Sequence, residues 1–221
     1  MFFRKRKNHY SESVKILAEQ GYSDEYVNAL ISEINTAKKA DDKAEGANHL
    51  ASARLFRGQL TEAAEIFAAA DHKKLPKEIR QAFFANYYLC LFLLNKFREA
   101  DEVYVEYNEY ILGEANVFLR RSVGIHEFIA GHYDAAATVF IKLLNDIKDD
   151  SRDTLMVDIC IVRTFLKLDM YDQAYELSAD FARYNDKYEL TKLTEKLKKR
   201  IFDYVNGAKK AVMVKRKKKK K

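Results

Sequence analysis

The sequence predicts an all-α protein, an α-solenoid built from antiparallel helix pairs. Three observations support this fold class. One proline and seven glycines among 221 residues are too few for a fold rich in β-turns. Apolar residues recur every three or four positions along most of the chain, which is the spacing of one helix face. A ten-residue pattern also returns at a nearly constant interval, as in proteins that repeat one helical pair.

The chain begins with a basic segment, residues 1–10, and continues into a predicted helical pair over residues 11–39. The first segment lacks the apolar stretch and the small-residue cleavage site of a secretory signal peptide. Gly21 separates the two helices of the pair, and Ser23 is the expected N-cap of the second. Their apolar faces consist of Val14, Leu17, Ala18, Tyr26, Val27, Leu30, Ile31 and Ile34. Residues 40–46 are expected to form a loop.

The repeated pattern then occurs four times, and its copies begin at Gly58, Asn95, Gly131 and Asp169. Two residues later comes a bulky apolar residue, which is Leu60, Phe97, Tyr133 or Tyr171. The next shared position is an alanine, which is Ala63, Ala100, Ala136 or Ala174. One helical turn further on lies Phe67, Tyr104, Phe140 or, in the last copy, Ser178. The alanines recur at intervals of 37, 36 and 38 residues.

Packing explains why these residue types recur. An alanine lets two helices cross closely, and an aromatic residue one turn later lies on the same helix face and fills the adjacent space. Gly, Asn and Asp accept the left-handed backbone that ends many helices. Each copy is therefore expected to mark the turn from a first helix into a second. The predicted units span residues 44–80, 81–116, 117–154 and 155–188.

The spacing in Ala63-x3-Phe67, Ala100-x3-Tyr104 and Ala136-x3-Phe140 resembles the second half of the tetratricopeptide repeat. Pro76 also falls near the point where the first such unit should close. The first helices match that family less well. The positions of its consensus Trp and Tyr hold Ala47, Arg54, Arg120, Glu127 and Asp158. The resemblance covers about residues 44–188 and implies that the first helices line a concave, partner-binding surface. Together with the flanking helices, one repeat domain is expected over residues 11–206.

Carried over from that family, the groove would be lined by Ala82, Ala85, Leu89, Phe92, Phe118, Arg121, Ile125 and Phe128. Two interpretations of this apolar lining stay open. Either these residues are packed core, with the solenoid tightly curled or its groove covered by the C-terminal helix, or the groove receives an amphipathic helix of a partner protein. The family's clamp for a terminal carboxylate is not expected, because only Asn86 fits among Asn48, Ser52, Asn86, Phe118 and Ser122.

Residues 189–206 predict an amphipathic helix that caps the repeats, with Leu190, Leu193, Leu197, Ile201 and Tyr204 on its apolar face. A basic helix for membrane surfaces or partners is the alternative interpretation. Residues 207–221 are expected to be a disordered polybasic tail, since like charges repel and nothing there can be buried. Its basic residues are Lys209, Lys210, Lys215, Arg216, Lys217, Lys218, Lys219, Lys220 and Lys221.

The basic charge is concentrated at the two ends of the chain. The formal net charge is +6, yet residues 209–221 hold nine Lys or Arg without an acid, and the first seven residues hold four more. The body between them therefore carries a charge of about −7. The ends suit RNA, ribosomes or lipid headgroups, and solubility alone is the competing explanation.

No motif in the sequence indicates catalysis. Glycine-rich phosphate loops are absent, and in HEFIAGH the spacing from His126 to His132 does not suit a zinc pair on one helix face. Cys90 and Cys160 lie in apolar helical runs and are expected to be small buried residues in a reducing compartment. The longest apolar run, residues 87–94, is far shorter than the roughly 20 residues of a membrane span.

The sequence thus predicts a cytoplasmic, non-enzymatic adaptor that binds another protein in its groove. The second hypothesis is a module recruited to RNA, ribosomes or an anionic membrane through its basic termini, and therefore peripheral to that membrane. Neither hypothesis involves a cofactor, a metal or a small-molecule substrate.

Overall fold

The structure, a computed structural model, describes residues 10–147 and 152–179, together with Lys199, Phe202, Asp203, Asn206 and Gly207. These residues contain ten α-helices and a short 3-10 helix, His72–Lys74, and no strand. The predicted all-α class is therefore confirmed for this part of the chain. The helices are α1 Ser11–Gln20, α2 Asp24–Thr36, α3 Ala40–Phe56, α4 Leu60–Ala69, α5 Lys77–Leu93, α6 Phe97–Ile111, α7 Val117–Ile129, α8 Tyr133–Asp146, α9 Arg152–Lys167 and α10 Tyr171–Ala179.

The first helical pair begins and ends as its sequence indicates. The hydroxyl of Ser23 accepts a hydrogen bond from the Tyr26 backbone N–H at 3.1 Å, which caps α2. Gly21 ends α1 with a φ of 67°. The predicted apolar face of α1 is only partly correct, because Val14 is 42% exposed and Ala18 is exposed as well. α1 packs mainly against α2, so one neighbour covers only a narrow strip of its surface.

Residues 40–46 are helical, so the prediction of a loop there is wrong. They form the first turns of α3, where Asp41 and Asp42 favourably face the positive end of the helix dipole. Gly46 lies where the Ile34 and Tyr10 side chains approach so closely that an added Cβ would collide with both. Close packing against α2 thus outweighs the roughly 1 kcal/mol that a glycine costs inside a helix.

The four repeated turns share one backbone geometry. Gly58, Asn95, Gly131 and Asp169 have φ values of 76°, 60°, 84° and 58°, which is the left-handed region. In each turn the backbone N–H of the residue after the left-handed one donates a hydrogen bond to the carbonyl of the third-last helical residue. In the first turn this bond runs from Gln59 N–H to the Arg54 carbonyl oxygen, at 2.9 Å. This is a Schellman cap, and each second helix begins immediately after it. The predicted turns between first and second helices are confirmed.

The four repeated alanines lie where helices touch. Ala63, Ala100, Ala136 and Ala174 are all 0% exposed, so the prediction that they mark helix contacts is confirmed. The aromatic residues behind them are packed differently from copy to copy. Phe67 and Phe140 are buried, whereas Tyr104 is half-buried. Gly124 in α7 permits one such contact, because a Cβ there would lie 2.7 Å from Phe140 Cζ.

The helices pack as neighbouring pairs. The main contacts join α3 to α4, α5 to α6, α7 to α8 and α9 to α10, and each pair also contacts the next along the chain. The first helices α5 and α7 contact each other directly. The predicted start of the third unit, residue 117, is also the first residue of α7. The other three units were predicted to start at residues 44, 81 and 155, but their first helices α3, α5 and α9 begin three or four residues earlier.

Several predictions fall on parts of the chain outside the described residues. These are the basic segment of residues 1–9, the tail of residues 208–221, and all but four residues of the predicted capping helix of residues 189–206.

Candidate functional site

The residues predicted to line a groove are mostly buried between helices. Within the described chain, Ala82 and Phe118 are half-buried, and the other six are at most 3% exposed. These six are Ala85, Leu89, Phe92, Arg121, Ile125 and Phe128. Of the two interpretations, the packed core fits the burial of these six residues. The first helices α5 and α7 contact each other, and α9 also contacts α7.

A cation contacts two of the buried aromatic residues from this set. The Arg163 guanidinium lies 3.9 Å from the centre of the Phe92 ring and 5.8 Å from that of Phe128. The two rings meet edge to face, with centroids 5.0 Å apart. Arg163 belongs to α9, Phe92 to α5 and Phe128 to α7, so this contact joins three first helices.

A chain of polar contacts, which we call the polar line, connects Ser52, Asn86, Arg121 and Asp153 on successive first helices. Arg121 of α7 is 0% exposed, and its Nη2 donates to Asn86 Oδ1 of α5 at 2.9 Å. The Asn86 amide in turn donates to Ser52 Oγ of α3 at 3.4 Å. On the other side, Arg121 Nη1 lies 3.7 Å from Asp153 Oδ1 of α9. Burial lowers the pKa of Arg121, and the nearby Asp153 carboxylate opposes that shift.

Sequence reasoning missed this line, although a signal was present. Ser52, Asn86 and Arg121 follow one another at 34 and 35 residues, close to the interval of the repeated alanines. The line is closed to solvent at Arg121, so it can hold helices in register but cannot take up a ligand.

The two cysteines are buried, and two of the histidines contact neighbouring side chains. Burial raises the pKa of both Cys90 and Cys160 to about 12, so both stay thiols at neutral pH. His126 stacks on Tyr104 with ring centroids 4.2 Å apart, while His132 faces Glu127 at 2.9 Å. Among the described residues, no three His, Cys, Asp or Glu side chains lie close enough together to hold a metal ion.

The surface around the 3-10 helix combines rings with positive charge. Tyr107 of α6 stacks on Phe84 with centroids 4.0 Å apart and an angle of 17°, and His72 meets Tyr107 edge-on at 5.0 Å. Tyr107 itself leaves helical geometry, with φ −128° and ψ 22°. Nearby, the Arg80 guanidinium lies 5.5 Å from the centre of the Tyr110 ring. Aromatic and basic groups are thus held together at the connection between α4 and α5.

An open depression of about 490 Å³ lies beside α7 and α8. Charges of both signs line it, and two of them neutralise each other, since Arg120 Nη2 lies 2.5 Å from Asp146 Oδ2. This balance gives the depression no preference for an anion or a cation.

The second helices expose apolar side chains at equivalent positions. Val105 of α6 is 75% exposed and Ile141 of α8 is 41% exposed. Each lies five residues after the repeated alanine of its helix, Ala100 or Ala136. The repeat therefore places two aliphatic side chains at matching sites on neighbouring pairs.

No protein-family model matches the chain, and no curated protein matches it significantly. Within the part of the chain that the structure describes, every helix is too short or too polar to cross a lipid bilayer.

Proposed function

We propose that this chain is a non-enzymatic adaptor, an α-solenoid of tetratricopeptide type that binds another protein in the cytoplasm. The observation that supports it best is the use of one packing solution four times, a left-handed turn followed by a completely buried alanine. Stacked helical pairs of this kind form extended surfaces suited to holding a partner. The two buried thiols suit a reducing compartment.

The partner docks on the second helices, because the first-helix residues once expected to contact it are buried. Val105 and Ile141 provide exposed aliphatic side chains at matching positions on neighbouring pairs. Exposed apolar side chains in register fit the apolar face of a partner's amphipathic helix.

The test compares two doubly substituted chains as baits in the lysate of the native host, with quantitative mass spectrometry of what each retains. Val105→Asp with Ile141→Asp places charges in the proposed contact. Asn108→Asp with Asn145→Asp adds the same charge at other exposed sites of the same two helices. We expect partners bound by the wild type to be lost from the first variant and kept by the second.

Equal retention by both variants would show that the partner does not dock on these helices. If the wild type retains nothing beyond what an unrelated helical protein retains, the adaptor function itself is wrong. Circular dichroism of each variant checks that the helices are intact.

A second candidate is a module recruited to RNA, ribosomes or an anionic membrane through its ends. The supporting observation is the separation of charge between the ends and a body of about −7. Removing residues 209–221 should then abolish co-sedimentation with RNA or with anionic vesicles at physiological salt. Undiminished binding after that removal would exclude the tail as the anchor.

A further inference from the structure

We propose that the surface around the 3-10 helix binds single-stranded nucleic acid. We call it the basic–aromatic face, and it consists of His72, Lys73, Lys74, Lys77, Tyr107 and Tyr110. It belongs to the folded body, so it is separate from the basic ends of the chain and does not depend on the adaptor proposal.

The cations of the face are available to a ligand. Lys73, Lys74 and Lys77 are exposed, and none of them forms an ion pair with any residue that the structure describes. Elsewhere in the described chain, Lys96 pairs with Glu99 at 2.9 Å. The face is also locally positive although the body is acidic, since residues 71–80 hold four Lys or Arg against two acids. Ammonium groups without partners suit phosphate oxygens.

The rings of the face are already held in place. Tyr107 is half-buried, and one side of its ring is supported by Phe84 at 4.0 Å while His72 lies against it edge-on. Tyr110, also half-buried, packs beside Phe84 at 5.8 Å. A base can stack on a supported ring without first ordering it, and stacking of this kind tolerates any base. Only unpaired bases can reach such rings, which favours a single strand over a duplex.

The positive charge continues along the same end of the helical stack. Lys38 and Lys39 lie in the connection between α2 and α3, 35 residues before Lys73 and Lys74. Both lysines are exposed. Because the tight turn at Gly58 makes α3 and α4 antiparallel, both connections lie at the same end of these helices. A linear polyanion would therefore meet a second lysine pair beyond the first.

Acidic side chains beside the face determine on which side the phosphates of a bound strand would lie. Glu106 and Glu109 are exposed on α6, and the Tyr107 hydroxyl donates to Glu106 Oε1 at 2.5 Å. The phosphates would be repelled by these two carboxylates and would lie along the lysines. The bases would then point toward the Tyr107 ring. A membrane fits less well, because none of the large apolar side chains exposed in the described chain belongs to this face.

The test measures binding of the full chain to a labelled, single-stranded 15-nucleotide RNA by fluorescence anisotropy over a range of salt concentrations. Each phosphate contact on a single strand contributes about 0.7 to the slope of log K against log salt. Lys73→Ala with Lys74→Ala should therefore reduce that slope by about 1.4. Lys15→Ala with Lys142→Ala, two exposed lysines outside the face, removes the same charge and should leave the slope unchanged. The basic ends contribute equally to both variants.

A ring substitution tests for stacking. Tyr107→Leu should weaken binding at least about fivefold, the lower end of what one stacked base contributes. Tyr107→Phe keeps the ring and should bind like the wild type, which separates stacking from folding. Equal slopes for the two lysine pairs would overturn the proposal, since binding would then run through the ends alone. A lysine effect without a Tyr107→Leu effect would also overturn it, because the face would then recognise charge and not bases.

Discussion

Arg163 of α9 bonds to Phe92 of α5, although the pair α7–α8 lies between their two helical pairs in the sequence. Its guanidinium lies 3.9 Å from the centre of the Phe92 ring, and its Nη1 donates to the Phe92 carbonyl oxygen at 2.8 Å. Its Nη2 donates to Asn95 Oδ1 at 2.7 Å, so it also holds the left-handed turn after α5. The Phe92 carbonyl oxygen also accepts from the Asn95 backbone N–H at 3.0 Å, so Arg163 adds a charged donor to a carbonyl that already takes part in this turn.

Removing this contact should destabilise the protein. Arg163→Ala loses a cation–π contact and two hydrogen bonds from a charged donor, and we expect unfolding to become easier by about 2–3 kcal/mol. Guanidinium denaturation measures the change. Arg98→Ala is the control, because Arg98 is 93% exposed and pairs only with Glu102 in the described chain, so a change below about 0.5 kcal/mol is expected. Similar effects for both variants would contradict the bridging role.

The buried Arg121 should be costly to delete and cheaper to replace together with its partner. Arg121→Ala leaves Asp153 without its counter-ion, and we expect a loss of about 3–5 kcal/mol. Arg121→Met combined with Asp153→Leu replaces the pair by apolar groups and should recover most of that loss. Thermal and chemical denaturation of the three proteins test this order. If Arg121→Ala is as stable as the wild type, the Arg121–Asp153 pair contributes nothing to stability.

The repeated alanines should not tolerate larger side chains. Ala63→Leu forces extra volume into a contact with no exposed surface, and overpacking of this kind costs about 1–3 kcal/mol. Ala68→Leu lies on the exposed side of the same helix and should change stability by less than about 0.5 kcal/mol. The two midpoints of urea denaturation give the comparison directly. Equal midpoints would mean that α4 does not pack through Ala63.

Substitution of Gly131 should destabilise the protein through backbone strain alone. Its φ is 84°, and an added Cβ would meet no atom within 4 Å, so Gly131→Ala adds only backbone strain. We expect a loss of about 1–2 kcal/mol, with a smaller loss for Gly131→Asn, since Asn tolerates the left-handed region better. Differential scanning calorimetry of both variants checks this order, and equal stability of the wild type and both variants would show that the left-handed backbone at Gly131 is not required.

Acidification should weaken the packing of His72. Burial, as the largest cause, and the neighbouring Lys73 lower the pKa of His72 below its ordinary value of about 6.5. The folded state therefore prefers the neutral ring. The stability from this group is fully present above pH 6.5 and is lost as the pH falls below that value. His72→Phe should lose less stability than the wild type between pH 7.5 and pH 5. A parallel decline in both would show that His72 does not contribute.

The site was harder to predict than the fold, and Arg121 shows why. Its position in the repeat corresponds to the concave surface, and the sequence left open whether that surface is an exposed groove or packed core. Its burial depends on Asn86 and Asp153, which lie 35 and 32 residues away and on other helices. The basic–aromatic face likewise needs Tyr107 beside His72, and only the folding of α6 against the 3-10 helix brings them together.

The sequence by itself determined the helical pairs, their turns and the alanines between them. These features are local, because a left-handed turn requires Gly, Asn or Asp at one position, and a close helix crossing requires a small residue on one face. Only the tertiary structure decided which apolar and charged side chains meet solvent. That outcome depends on contacts between residues far apart in the sequence. Gly46 leaves room for the Tyr10 side chain, and Arg163 packs on the Phe92 ring, and neither contact is visible in a single stretch of sequence.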